Sequence, residues 1–246
     1  MKRFASIASL KDLAKDKLSG FHKTGLLLIL LSNIFVVSVT STVDSFFTSE
    51  GMATVIVSSL VVLAVAIFAS ILSMGVRYGY MKIYCGERPF LSDLFYGYSN
   101  NSKDFLVLSG INNVVEYLIS VPAQILLAKY IQTKDVLFVK ALLVSLVVDV
   151  VLLLAVVMPL SQSAYLLIDF PELTAKEAIV KSMKLMKGNM VRYFGLMVSF
   201  LPHLVLCVLT LGVGYLFVSP YIQMSLTCFY MNLVGGDDSS HIDVTV

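Results

Sequence analysis

The sequence predicts an all-α fold: a polytopic transmembrane helical bundle of about six spans, with amphipathic helices on its cytoplasmic side. Three observations predict it. The chain of 246 residues is 58% hydrophobic and only 14% charged, with a mean hydropathy of +0.87, which is too apolar for an ordinary soluble domain. Its apolar residues gather in runs near the roughly 20 residues that cross about 30 Å of hydrocarbon. Fifteen of its eighteen Lys and Arg lie in alternate inter-run segments. Lys2, Arg3, Lys11, Lys15, Lys17 and Lys23 precede the first run. Arg77, Lys82, Arg88 and Lys103 separate the second from the third, and Lys176, Lys181, Lys184, Lys187 and Arg192 separate the fourth from the fifth. Only Lys129, Lys134 and Lys140 fall on the other side. Cytoplasmic loops retain Lys and Arg, so the basic segments and both termini are expected inside.

The first span is expected over Thr24 to Thr42, with Ser32, Asn33 and Thr40 as a weak polar stripe. Its basic leader of 23 residues is long for a signal peptide and no small-residue cleavage site ends it, so a retained helix is expected. The second span, Met52 to Val76, carries small residues at Ser59, Ala66, Ser70 and Ser73 that suit close helix approach. The third, Phe105 to Ala128, has the clearest face. Ser109, Asn112, Asn113, Glu116, Ser120 and Gln124 recur at steps of three and four, one side of a helix that hydrocarbon cannot satisfy. The fourth, Val136 to Pro159, continues apolar to Ile168 and carries Ser145 and Asp149. The fifth, Tyr193 to Leu211, holds Ser199 and His203. Leu211-Gly212-Val213-Gly214 joins it to the sixth, Tyr215 to Leu233, which holds Pro220, Gln223 and Thr227. Each span thus offers a side to the inside of a bundle. Residues 1–233 read as one domain, and 234–246 as a short cytoplasmic tail with Asp237, Asp238 and Asp243.

Each outward-going span follows a cytoplasmic segment of mixed character: Phe4 to Leu18, then a stretch with Phe90, Leu94, Phe95 and Tyr98, then Thr174 to Lys187. In the last, Thr174-Ala175-Lys176-Glu177 fits a capping box and Gly188 a helix stop. Ala175, Ala178, Ile179, Ser182, Met183 and Met186 form one face, with Lys176, Lys181, Lys184 and Lys187 around the other. A basic amphipathic helix beside a span lies at headgroup level. These four lysines and Arg192 are therefore the candidate surface for anionic lipid or a protein partner.

Ala164-Tyr165, Pro171, Glu177-Ala178, Ser182, Met186-Lys187-Gly188, Ser199-Phe200, Leu209 to Gly212, Gly214, Pro220-Tyr221 and Phe229-Tyr230 carry a resemblance. The pattern resembles a bacterial membrane family, the domain of unknown function 975, common in Gram-positive bacteria. That family is distantly similar to the membrane domain beside some glycerophosphodiester phosphodiesterases. The likeness is specific over 164–233 and diffuse over the N-terminal half, where Pro122 and Phe90 to Gly97 also fit. Pro202-His203 departs from the family pattern. The resemblance implies a multi-pass bacterial cytoplasmic-membrane protein and supplies no activity.

Glu116 and Asp149 are expected within the hydrocarbon zone, where a charge costs at least about 2.5 kcal/mol. With Asn112, Asn113, His203 and Gln223 they form a candidate intramembrane polar site. Hydrolase signatures are missing: no zinc-binding His-Glu-x-x-His, no Gly-x-Ser-x-Gly and no phosphate loop. No cofactor, metal or nucleic-acid site is expected, and no disulfide among Cys85, Cys207 and Cys228. Two function classes fit: a non-enzymatic scaffold or accessory membrane protein, and a small-solute or ion transporter using the polar bundle interior. Broken helices at Pro122, Pro159, Pro202 and Pro220 suit the second. The topology has a direct check. Reporter fusions after Asp44 and Tyr130 are expected to read outside and one after Leu233 inside; an external reading at Leu233 would remove the last span.

Overall fold

The computed structural model describes residues 5–46 and 52–236. Lys2, Arg3, the acidic tail with His241, and the side chains of Thr40 and Ser59 lie outside the described residues. The fold is all-α. Helix α1 (Ile7–Leu18) is followed by α2 (His22–Phe46) and α3 (Met52–Tyr84). A 3-10 turn at Leu91–Phe95 and the single turn α4 (Tyr96–Ser99) lead into α5 (Ser102–Thr133). Next come α6 (Val136–Leu152), a π turn at Leu153–Val157, α7 (Met158–Leu160) and α8 (Ser163–Asp169). The chain closes with α9 (Ala175–Met186), α10 (Met190–Val198), α11 (Leu201–Leu209) and α12 (Tyr215–Gly236).

Among the described residues, five helical stretches are long and apolar enough to cross a membrane: His22–Val39, Leu60–Tyr84, Ser102–Thr133, Val136–Asp169 and Met190–Leu209. The sixth expected span forms α12 but falls short of that apolarity, and its surroundings explain why. Met224, Ser225, Thr227, Cys228, Phe229 and Tyr230 are completely buried. A helix enclosed by protein can carry Gln223, Ser225 and Thr227, because neighbouring helices, not lipid, satisfy them. Helix α3 also outruns its expected end at Val76 by two turns. Among the added residues Tyr80 and Ile83 are fully buried, so packing sustains the helix beyond the expected span.

Burial divides the molecule. One core gathers Leu10, Ala14 and Leu18 of α1 with Leu28, Tyr80, Phe200, Met224 and Phe229. A second gathers Met81, Phe105, Leu108, Tyr165, Leu167, Ala178 and Tyr230. Both lie at the end of the bundle to which the basic segments belong. From Gly110 to Val157, by contrast, no residue is buried. There the outer parts of α5 and α6 present Leu118, Ile125, Leu143, Val144, Val147 and Val151 outward, each more than half exposed. The expected compact interior therefore exists at one end only, and the α5–α6 hairpin stands out from it.

Polar side chains stitch the packed end. Lys82 pairs with Asp93 at 3.0 Å, and Asp93 also accepts from the Phe90 amide at 2.8 Å. Asn101 donates to the Pro171 carbonyl at 3.2 Å. Asp104 accepts from the Ala175 amide at 2.7 Å, a carboxylate set at the positive start of α9. The capping box there forms as expected: Thr174 accepts from the Glu177 amide, and Glu177 accepts from the Thr174 amide at 2.8 Å. Those bonds hold the Glu177 carboxyl below the ordinary carboxylate range. Their contribution is present above the ordinary value and lost as pH falls through the lowered one. Pro159, lacking an amide hydrogen, interrupts the fourth run, and the wide turn before it absorbs the mismatch. Ser182 of α9 bridges that break, donating to the Pro159 carbonyl at 2.6 Å and accepting from the Gln162 amide at 3.2 Å.

Close approach within the bundle falls on glycines more than on the expected serine stripe. A Cβ at Gly75 of α3 would collide with the backbone carbonyl of Leu94, whereas one at Gly110 would meet nothing within 4 Å. Gly75→Ala is expected to lower the detergent melting temperature sharply, overpacking against backbone costing about 1–3 kcal/mol or more. Gly110→Ala in α5 is expected to be neutral or to stabilise by up to about 1 kcal/mol. Equal melting temperatures for the two variants would contradict this packing.

Candidate functional site

A groove of about 230 Å³ lies where the packed end meets the open apolar hairpins, between α2, α3 and α12. Ser32 and Asn33 come from α2, Ser73 and Arg77 from α3, and Tyr215, Ser219 and Gln223 from α12, with Ile29, Val76 and Ile222 between them. Helix geometry explains the convergence. Ser73 and Arg77 are four residues apart, as are Tyr215 and Ser219, and Ser219 and Gln223, so each set shares one face. Gln223 donates to the Tyr165 hydroxyl at 3.1 Å, and that hydroxyl lies 3.2 Å from Thr227. Tyr165 stacks on Tyr230 at 5.0 Å, and Tyr230 donates to Asp169 at 2.8 Å. Arg77 lies over the Tyr165 ring at 5.6 Å. Asn33 reaches the Tyr215 hydroxyl at 3.5 Å.

The α11–α12 hairpin ends at this level. Its tip, Thr210 to Gly214, turns through the positive φ of Leu211 and Gly212. Tyr215 then meets Asn33, while residues 34–46 of α2 continue about 20 Å further. The exposed tip is apolar, with Val208, Leu209 and Leu211 all more than 70% exposed. The hairpin that carries Tyr215, Ser219, Ile222 and Gln223 of the groove thus reaches less far than α2.

The residues singled out from sequence do not form one site. Gln223 joins the groove. Asn113 bonds across to Ser70 of α3 at 3.1 Å and back to the Ser109 carbonyl at 2.8 Å. Asn112 has a buried side-chain oxygen without a hydrogen-bond partner. Glu116 is exposed, makes no hydrogen bond among the described residues, and lies within electrostatic range of Arg77. Arg77, one residue past the expected end of the second span, is the cation within that range, carried there by the extended α3. Asp149 is half-buried on α6, a helix that buries no residue, and shares no hydrogen bond with Glu116.

His203 belongs elsewhere altogether. Its ring packs 6.0 Å from both Phe200 and Tyr221. Lys11 of α1 stands 4.7 Å over Phe200 and donates to the Ser199 carbonyl at 3.2 Å. Burial first, then repulsion from Lys15, pulls the Lys11 ammonium below the ordinary lysine range. A histidine in this aromatic and basic setting sits apart from both carboxylates. Among the described residues, no three His, Cys, Asp or Glu side chains come together as metal ligands.

The basic surface needs one correction. Lys176, Lys184 and Lys187 are exposed and Lys181 half-buried on the outer side of α9, whose inner side buries Ala175, Ala178, Ser182 and Met186. Arg192 does not share that surface. It donates to the Ala5 carbonyl at 2.6 Å and to the Asn232 side chain, and lies over Phe229 at 5.2 Å. It therefore ties the start of the chain to its last helix. Sequence reasoning counted it as topogenic because charge position alone carries no information about inward contacts. Arg77 was undervalued for the same reason, although its i, i+4 spacing from Ser73 was visible.

One family matches the chain, described as a protein of unknown function (DUF975), over residues 5–236. No curated protein matches it, and no solved structure does.

Proposed function

The chain belongs to the DUF975 family of unknown function, and from that premise we propose that it is a non-enzymatic scaffold or accessory protein of a bacterial cytoplasmic membrane. Its several long apolar helices suggest a membrane protein. The observation that carries the finer reading is the divided burial. Apolar side chains from 110 to 157 are nowhere buried by protein, and hydrocarbon is the solvent that covers such a surface without cost. The packed end carries the lysines of α1 and α9, so the positive-inside bias puts that end, and both termini, in the cytoplasm.

On this reading α9 lies at headgroup level. Val180 and Met183 are 38% and 43% exposed among Lys181, Lys184 and Lys187, an apolar pair set to dip between anionic headgroups that the lysines contact. Anionic lipid is the partner the surface fits, and a membrane or cytoplasmic protein seated on the same helix is the second. The transporter alternative finds less support, since Glu116, Asp149 and His203 share no contact that would relay an ion.

Each lysine beside an anionic surface is worth about 1 kcal/mol. Changing Lys181, Lys184 and Lys187 to Glu is therefore expected to weaken binding of phosphatidylglycerol vesicles to the detergent-solubilised chain by about a hundredfold or more. Unchanged binding would overturn the headgroup placement of α9. Glu116→Gln separates the two function classes. The scaffold reading expects melting temperature and vesicle binding to match wild type at acidic and neutral pH, whereas a proton-coupled site would lose a pH dependence that wild type displays.

A further inference from the structure

The groove beside Arg77 contains a charge imbalance that the fold itself does not resolve. Arg77 is half-buried and makes no hydrogen bond or ion pair among the described residues. Among the described residues its close partner is the face of Tyr165. No Asp or Glu lines the groove. Glu116 acts on Arg77 only at longer range, without an ion pair. Across the groove Ser219 is 7% exposed and its hydroxyl has no partner. A helical serine commonly returns its hydroxyl to a carbonyl one turn back, as Ser225 does to Tyr221 at 2.8 Å. Ser219 does not, and a buried hydroxyl left unmade is costly. Ser32, 5% exposed, lines the same wall, and the amides of Asn33 and Gln223 each retain a second hydrogen beyond their tyrosine bonds.

We propose that this groove binds a phosphate-bearing anionic group, held by the Arg77 guanidinium and the Ser219 hydroxyl, with Ser32, Asn33 and Gln223 as further donors. A guanidinium fork matches phosphate oxygens in pairs, and hydroxyl and amide donors complete the remaining lone pairs. Size limits the ligand. At about 230 Å³ the groove is smaller than the roughly 300–1,000 Å³ of sites for drug-sized molecules, so it takes a headgroup-sized fragment. Asn33 and Tyr215 at its rim are exposed, beside the outward-facing Ile34 and Phe217. A phospholipid can enter from that side with its chains left against the apolar helices. A soluble phosphate monoester supplies the same chemistry, and the two sources are separable by experiment. The lipid source rests on the membrane reading above; the anion site itself does not, and it is distinct from the lysines of α9.

The test uses the full chain in a neutral detergent, with bound species counted by native mass spectrometry and melting temperature followed in parallel. Phosphatidylglycerol and glycerol 3-phosphate are titrated separately, with phosphatidylcholine as the neutral-headgroup control. Wild type is expected to bind one equivalent of phosphatidylglycerol or of glycerol 3-phosphate in preference to phosphatidylcholine. Saturation by the first alone assigns a lipid, and by the second a soluble ester. Arg77→Gln is expected to weaken that equivalent at least tenfold and Ser219→Ala severalfold, while the Lys181, Lys184, Lys187 to Glu variant retains it. Binding of neither probe, or equal binding by Arg77→Gln, overturns the proposal. If Arg77→Gln fails to fold, Ser219→Ala decides, because its side chain is shortened without loss of charge; unchanged affinity there overturns the site. Loss of the equivalent in the α9 variant instead would assign it to the surface lysines and sink the groove alone.

Discussion

Helix α12 must be enclosed by protein, and most of the architecture serves that requirement. It carries Ser219, Gln223, Ser225, Thr227 and Asn232 along a single helix, more polar groups than hydrocarbon can accommodate. Helix α1 covers one side, with Lys11 and Lys15 over Tyr221 at 5.8 Å. Helix α8 covers another through Tyr165 and Asp169, and α2 meets its start at Asn33. The two cores form around this helix. Where α12 begins, at the hairpin tip, the packed interior ends.

On the proposed membrane reading, the result is one chain built for two solvents. At the packed end, apolar side chains interdigitate and charges find partners, as in a water-soluble domain. At the other end, α5 and α6 pack mainly on each other and expose an apolar surface that, on that reading, lipid covers. Polar residues there bond within α5, as Gln124 does to Ser120, or at the seam with α3. Asn113 bonding to Ser70 marks that seam. The groove beside Arg77 opens at the same boundary, where the proposed polar ligand would be desolvated without reaching the middle of the hydrocarbon.

Much of this was legible in the residues. Apolar run length placed the helices to within a turn or two, because spanning a bilayer is a length constraint. The capping box at Thr174 was readable since both partners are local, within one helical turn. The sides of helices were readable too, but periodicity reports which residues share a face and never which helix they face. For that reason Glu116, Asp149 and His203 looked like one site. Nothing in the sequence showed that α6 packs on little beyond α5, or that His203 would settle against Phe200 and Lys11. Arg77 and Arg192 were hidden for a related reason: a charge next to a span reads as topogenic until its neighbours are known.

The junction of Ala5, Arg192 and Asn232 has a consequence for how the molecule is made. These contacts join residues separated by as many as 227 positions, so the packed end closes only after the last helix has left the ribosome. On the proposed membrane reading, the α2–α3 and α5–α6 hairpins, local in sequence, can enter the bilayer as they emerge. Until α12 arrives, they have lipid to satisfy them but no interior to join, and α1 waits without the surface it buries against. Biogenesis would thereby be split in time: insertion hairpin by hairpin, then folding in a single closing step with high contact order. On that reading a chain shortened before α12 would be inserted yet unclosed, with α1 open to quality-control proteases, whereas α9 keeps its bonds to Asp104, Pro159 and Gln162.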